Sequence, residues 1–160
     1  GGRLFRVRRT IGRGPSCGER QPLAAPACRS APFGSNGERE LAEVLTPHIG
    51  GIAGFYRLNG DSLNLVVQQC GVTSHPLGTR NLDMGLAGDL DGDGQLELVV
   101  FNQPFTQIVA LRRTADGIET AWETPVGGKA ATNLAAVDSG GRIVLGVGRE
   151  DRVLRIWLTP

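Results

Sequence analysis

Three times after residue 49 the chain repeats one local pattern: a short apolar strand, a tight polar turn and a β-branched strand. Ile52-Ala53-Gly54-Phe55-Tyr56 turns through Leu58-Asn59-Gly60-Asp61 into residues 63–68. Leu86-Ala87-Gly88-Asp89 leads into residues 96–101, and Leu134-Ala135-Ala136-Val137-Asp138 turns through Ser139-Gly140-Gly141 into residues 143–147. Runs this short, cut this often, do not sustain the 3.6-residue period of packed helices. The 24 Gly among 160 residues agree, since Gly inside a helix costs roughly 1 kcal/mol relative to Ala. An all-β fold is therefore predicted. Further strands are predicted over residues 107–113 and 120–126, giving the middle unit four strands, and over 153–158 behind the third.

The first 48 residues have a different texture. They carry eight Arg against four Glu, a balance of +4, whereas residues 49–160 carry nine basic and twelve acidic groups, a balance of −3. Two regions are predicted on this basis, 1–48 and 49–160. Within the first, residues 3–11 alternate as a strand, residues 12–37 read as an irregular Gly/Pro-rich loop, and residues 38–45 show helical spacing at Leu41, Val44 and Leu45. Asn36 stands ready to cap that helix and Pro47 to stop it. Arg6, Arg8 and Arg9 read as a charged edge strand that resists aggregation. The overall charge of +1 argues against nucleic-acid binding, and no run reaches the roughly 18 apolar residues of a membrane span. Cys17 and Cys28 enclose a Pro-rich loop and form a candidate disulfide, which leaves Cys70 as a free strand cysteine.

The sharpest motif is Asp89-Leu90-Asp91-Gly92-Asp93-Gly94-Gln95-Leu96-Glu97. Carboxylates at positions 1, 3 and 5 curl round one point only if the backbone turns sharply, and Gly supplies that turn. Ca²⁺ takes six to eight oxygens; Asp89, Asp91 and Asp93 offer side-chain oxygens, Gln95 its carbonyl and Glu97 a closing carboxylate. An ordinary Asp/Gly hairpin turn is the competing reading, but such a turn does not need four carboxylates in nine residues. An EF-hand is excluded because position 12 is Val100 and the following residues are strand formers.

Residues 85–100, Gly-Leu-Ala-Gly-Asp-Leu-Asp-Gly-Asp-Gly-Gln-Leu-Glu-Leu-Val-Val, resemble the calcium loops of FG-GAP and VCBS repeats, the blades of integrin-α-like β-propellers. Glu97 departs from the Asp that usually closes that loop. The resemblance implies antiparallel propeller-type blades, about two and a half to three of them, one calcium site, an exported protein and an adhesive role with a protein or glycan partner. Fewer than four blades do not close a ring, so the chain is expected to be part of a larger propeller or one partner in an assembly. The absence of an initiator Met at Gly1 fits a start removed by processing or truncation. In the flanking units only Asn59 and Asp61, or Asp138 and Ser139, stand where ligands would.

Catalysis by this chain is not expected. Ser74 and His75 are adjacent on an extended segment and should point apart, and no nucleophile elbow, Cys-x-x-Cys, His-Glu-x-x-His or P-loop accompanies them. Trp122 and Trp157 are assigned to packing rather than to sugar stacking. The expected function is that of a non-enzymatic, calcium-stabilised adhesion or assembly module. Two alternatives are an accessory domain of a secreted enzyme acting on polysaccharide or cell wall, and a subunit completed by a neighbour's strand.

Overall fold

The computed structural model describes residues 6–8 and 28–159, and among these it is all-β, with no helix. The first sheet contains β1 (Arg6–Arg8), β2 (Cys28–Ala31), β3 (Glu40–Leu45), β4 (Ile52–Asn59) and β5 (Ser62–Cys70), in the spatial order β1-β5-β4-β3-β2. From β2 to β5 it is an antiparallel meander; β1 adds in parallel to β5, with Arg6 opposite Ser62. The central sheet contains β6 (Val72–Thr73), β7 (Leu86–Gly88), β8 (Glu97–Asn102), β9 (Gln107–Arg113) and β10 (Ile118–Pro125). Here β7 to β10 form the meander, and β6 pairs with the far end of β8. The third sheet is the meander β11 (Ala135–Asp138), β12 (Ile143–Gly148) and β13 (Leu154–Leu158). The sheets do not close into a barrel.

The three sheets stack, with the central one buried on both sides. Alternation along β8 and β9 sends Leu98, Val100, Val109 and Leu111 toward Ala42, Val44, Ala53 and Phe55 of the first sheet. The intervening residues Val99, Phe101, Ile108 and Ala110 pack instead with Leu145 and Val147 of the third sheet. Trp122 and Trp157 pack against this second core, as expected of them. Their indole Nε1 atoms have no hydrogen-bond partner among the described residues.

A buried ion pair fastens the first sheet to the central one. Glu40 opens β3 fully enclosed, and its carboxylate accepts hydrogen bonds from Arg113 Nε of β9 at 3.0 Å and Arg57 Nη2 of β4 at 2.7 Å. The Arg113 guanidinium also donates to the carbonyls of Thr114 and Gly117 and lies 5.9 Å from the centre of the Phe55 ring. At the opposite end of the β3–β4 pairing, Gly51 is closely approached by the backbone of the central sheet: a Cβ there would meet the Val72 carbonyl oxygen at 2.0 Å.

Several expectations are corrected. Residues 38–45 form no helix: β3 occupies 40–45, because Ala42 and Val44 on one face fit the core while Leu41, Glu43 and Leu45 alternate on the other. The same residues satisfy a helical spacing, and pairing with β4 decides between them. β3 and β4 join across residue 48, so the compositional division there runs through a sheet. Of the strand expected over residues 3–11, Arg6–Arg8 is described, at the edge of the first sheet. The Gly60 turn joins the third and fourth strands of its meander, whereas the loops after Asp89 and Asp138 join first and second strands. Cys70 is disulfide-bonded and not free; the proposed pairing of Cys17 with Cys28 lies outside the described residues.

Removing one member of a buried ion pair leaves the other charge desolvated, at about 3–5 kcal/mol. Glu40→Ala is accordingly expected to lower unfolding stability by about that amount in urea titrations. A loss below about 1 kcal/mol would show that water reaches Arg113 at no cost.

Candidate metal centre

The motif at 89–97 is the connection between β7 and β8, anchored where Gly88 pairs with Glu97. Asp89 organises the turn from its first position: Oδ1 accepts from the Gly92 amide at 2.8 Å and Oδ2 from the Gly94 amide at 2.9 Å. Both glycines adopt positive φ, +80° and +87°, a conformation in which a side chain would be strained. Asp91 Oδ1 accepts from the Asp93 amide at 3.2 Å, and Asp93 Oδ1 from the Gln95 amide at 2.9 Å. Leu90, between the first two carboxylates, is buried in the core shared with the third sheet, so the loop is pinned from below.

Asp89, Asp91 and Glu97 bring one carboxylate oxygen each within 4.8 Å of one another, a group able to hold a metal ion. Asp93, expected as a further carboxylate ligand, lies outside that triad. Asp93 is engaged by the Gln95 amide and side chain, while Gln95 is exposed. Glu97 is the buried member: its Oε2 accepts from the Leu90 amide at 2.9 Å. Burial pushes its carboxyl above the ordinary carboxylate range, against the opposing pull of the Leu90 amide and Arg112.

Arg112, on β9 directly across from Glu97, was not anticipated. Its Nη2 lies 2.7 Å from Asp91 Oδ2 and 3.0 Å from Glu97 Oε1, and its Nη1 lies 2.9 Å from Asp93 Oδ2. One guanidinium thus serves three of the four carboxylates. Burial alone would lower its pKa, but the hydrogen bond to Glu97 and the charges of Asp91, Asp93 and Glu97 together hold it above its ordinary value. Only its place opposite Glu97 in a strand register could have pointed to it, and that register is not visible in a motif. The donor set itself, all carboxylate oxygen on a turn shaped by Gly, suits a hard cation.

Compared with models of known protein families and with curated proteins, the sequence matches none.

A second polar cluster lies beyond the end of β6. Ser74 and His75 do not point apart: Ser74 Oγ and His75 Nδ1 are 3.2 Å apart, because the chain bends after two residues of strand instead of remaining extended. Both are buried, and Thr73 Oγ1 donates to the Pro47 carbonyl at 2.8 Å. The His48 ring stands edge-on to that of His75, with centroids 4.6 Å apart. These contacts tie two loops together.

Burial, and then the charge of His48, hold the His75 imidazole below its ordinary value of 6.5. Below pH 6.5 the unfolded chain therefore takes up a proton that the folded chain resists, so stability present above that pH is lost as pH falls. Glu43, raised by burial despite its hydrogen bond with Tyr56, acts in the opposite sense from pH 4.5 upward. Comparing the parent with His75→Gln isolates the histidine. The drop in melting temperature between pH 7.5 and 5.5 is expected to be smaller in the variant, as followed by circular dichroism; equal drops would place His75 in contact with solvent.

Proposed function

We propose that this chain is a non-enzymatic calcium-binding segment of β-propeller type from an exported protein, acting in adhesion or assembly with a protein or glycan partner. The carrying observation is the carboxylate triad on the β7–β8 turn, whose innermost member, Glu97, opens a strand buried on both faces. Bound Ca²⁺ would supply positive charge and several oxygen-directed bonds to this turn. Asp89, Asp91 and Glu97 would hold it, with Asp93 and the Gln95 carbonyl as the remaining expected donors. The protein's own part is to fix the turn: Gly92 and Gly94 bend it, Leu90 anchors it, and β8 carries the fixed geometry into the core. Adhesion and export rest on the resemblance of residues 85–100 to FG-GAP and VCBS loops. An enzymatic role draws no support from the Ser74–His75 pair, which is enclosed.

Arg112 favours a second reading, in which the loop is closed by an internal cation and needs no metal. Its contacts to Asp91, Asp93 and Glu97 already neutralise much of the cluster. The two readings differ in what calcium does to stability. A site saturated a hundredfold over its Kd stabilises by about 2.7 kcal/mol, roughly 5–11 °C in melting temperature for a chain of this size.

Under the calcium reading, chelator lowers the melting temperature by about that much, and Asp91→Ala melts like the chelated parent. Arg112→Met then keeps or strengthens the calcium response, since a competing cation is gone. Under the internal-cation reading, chelator has no effect, and Arg112→Met is destabilised by a similar amount whether or not calcium is present.

A further inference from the structure

In the third sheet β12 and β13 bury one face and expose the other, while β11 is exposed along its length. Toward the central sheet β12 and β13 turn Ile143, Leu145, Val147 and Trp157. Strand register assigns the outward residues to three rows: Val137–Val144–Leu158, Ala135–Gly146–Ile156, and Gly148–Leu154. Every side chain in these rows is apolar, and no charge interrupts them. Val137, Leu154, Ile156 and Leu158 are 61, 66, 62 and 55 % exposed. Alternation along β13 is therefore inverted relative to a solvent-facing strand, with Arg155 and Trp157 on the inner side and the aliphatic residues outside.

From this face we infer that the chain associates as a symmetric dimer through the outward surfaces of two third sheets. Size supports a second copy as the occupant. The patch is on the order of 500 Å², at the upper range of what a monomer leaves uncovered. Two such patches give about 1,000 Å² of apolar surface, close to the apolar share of a standard interface of about 1,600 Å².

Shape supports it as well, and chooses the axis. Outward side chains are largest on β13, at Leu154, Ile156 and Leu158, smaller on β11, at Ala135 and Val137, and smallest on the middle strand β12, at Val144, Gly146 and Gly148. The thicker β13 edge meets the thinner β11 edge when a two-fold axis runs along the strands. That operation lays β13 of one copy over β11 of the other, so Leu158 meets the partner's Val137 and Ile156 meets the partner's Ala135. A two-fold axis across the strands would stack thick edge on thick edge and leave a gap beside it. The arrangement also continues the molecule's own construction, since sheet faces already pack in this way on both sides of the central sheet. The dimer does not depend on the metal reading, and no residue of the 89–97 loop takes part.

The test is the mass in solution of the full chain, by light scattering and sedimentation across the micromolar range. Twice the chain mass of 16.9 kDa is expected, with or without chelator. Val137→Glu alone and Leu158→Lys alone should each sediment as monomers, and mixing the two should restore a dimer, because the axis along the strands places these positions opposite one another. Recovery on mixing also shows that the single variants are folded. Leu77→Lys, at an isolated leucine that is 80 % exposed, should leave the dimer unchanged. A parent that remains at 16.9 kDa, or single variants that remain dimeric, would overturn the inference. So would failure of the mixture to associate while each variant keeps the parent's circular dichroism.

Discussion

Strand β8 is buried on both faces, and the rest of the structure is arranged to make that possible. Leu98 and Val100 need a sheet on one side, and Val99 and Phe101 need one on the other. A strand apolar throughout cannot sit at a surface; it must be a middle layer. The first sheet supplies one cover and the third sheet the other. The connections between layers are correspondingly tight, with Gly71 and Val72 amides both donating to the Gly51 carbonyl at the first junction.

Enclosing β8 and β9 so completely creates a problem at their charged ends, and the solution is the same on both faces. Arg112 and Arg113 are consecutive on β9 and so point to opposite sides of the central sheet. Arg113 reaches the buried Glu40 of the first sheet, and Arg112 reaches the buried Glu97 at the start of β8. Each buried carboxylate thus receives a guanidinium across a sheet or a layer. The difference lies in what surrounds the pair: Glu40 has Arg57 as a second cation, while Glu97 has Asp89, Asp91 and Asp93 as further anions. The first site is balanced, since Arg57 also lies 3.4 Å from Glu38, whereas the second keeps an excess of negative charge, and that excess makes it a candidate for a divalent ion.

Much of this was legible in the sequence where local chemistry decides structure. The strands bounded by Gly- and Asp-containing turns form within a residue or two of expectation, as with β8, β9 and β12, and the acidic nonapeptide forms the turn its glycines demand. What sequence reading missed depends on pairing between distant residues. Residues 40–45 fit both a helical and a strand period, and only β4 alongside selects the strand. β2 and β6, of four and two residues, are too short to show a period at all. Arg112 enters the acidic cluster through register with Glu97, fifteen residues away. Cys70 is bonded to a partner that its own neighbours do not reveal.

The third sheet contains a natural comparison for the acidic loop. Asp138 Oδ1 accepts from the Gly141 amide at 2.8 Å, the same contact, three residues along, that Asp89 makes with Gly92. Both turns join the first two strands of a meander, and both follow with a glycine at positive φ. The shared feature is therefore a device of the turn: a carboxylate satisfying an otherwise unpaired amide, which needs no metal. The acidic loop adds carboxylates at Asp91, Asp93 and Glu97, where the 138–142 turn has Gly140 and Arg142 and then passes into strand. Each of those additional groups also accepts a loop amide, Asp91 from Asp93, Asp93 from Gln95 and Glu97 from Leu90, but the simpler loop turns without them. They bring like charges together beside a buried strand, an arrangement that raises the energy of the loop unless a cation balances it. Arg112 provides one such balance from within the chain, and it reaches Asp91, Asp93 and Glu97 without touching Asp89. Asp89 thus does two things at once, closing the turn as Asp138 does and standing with Asp91 and Glu97 in the carboxylate triad.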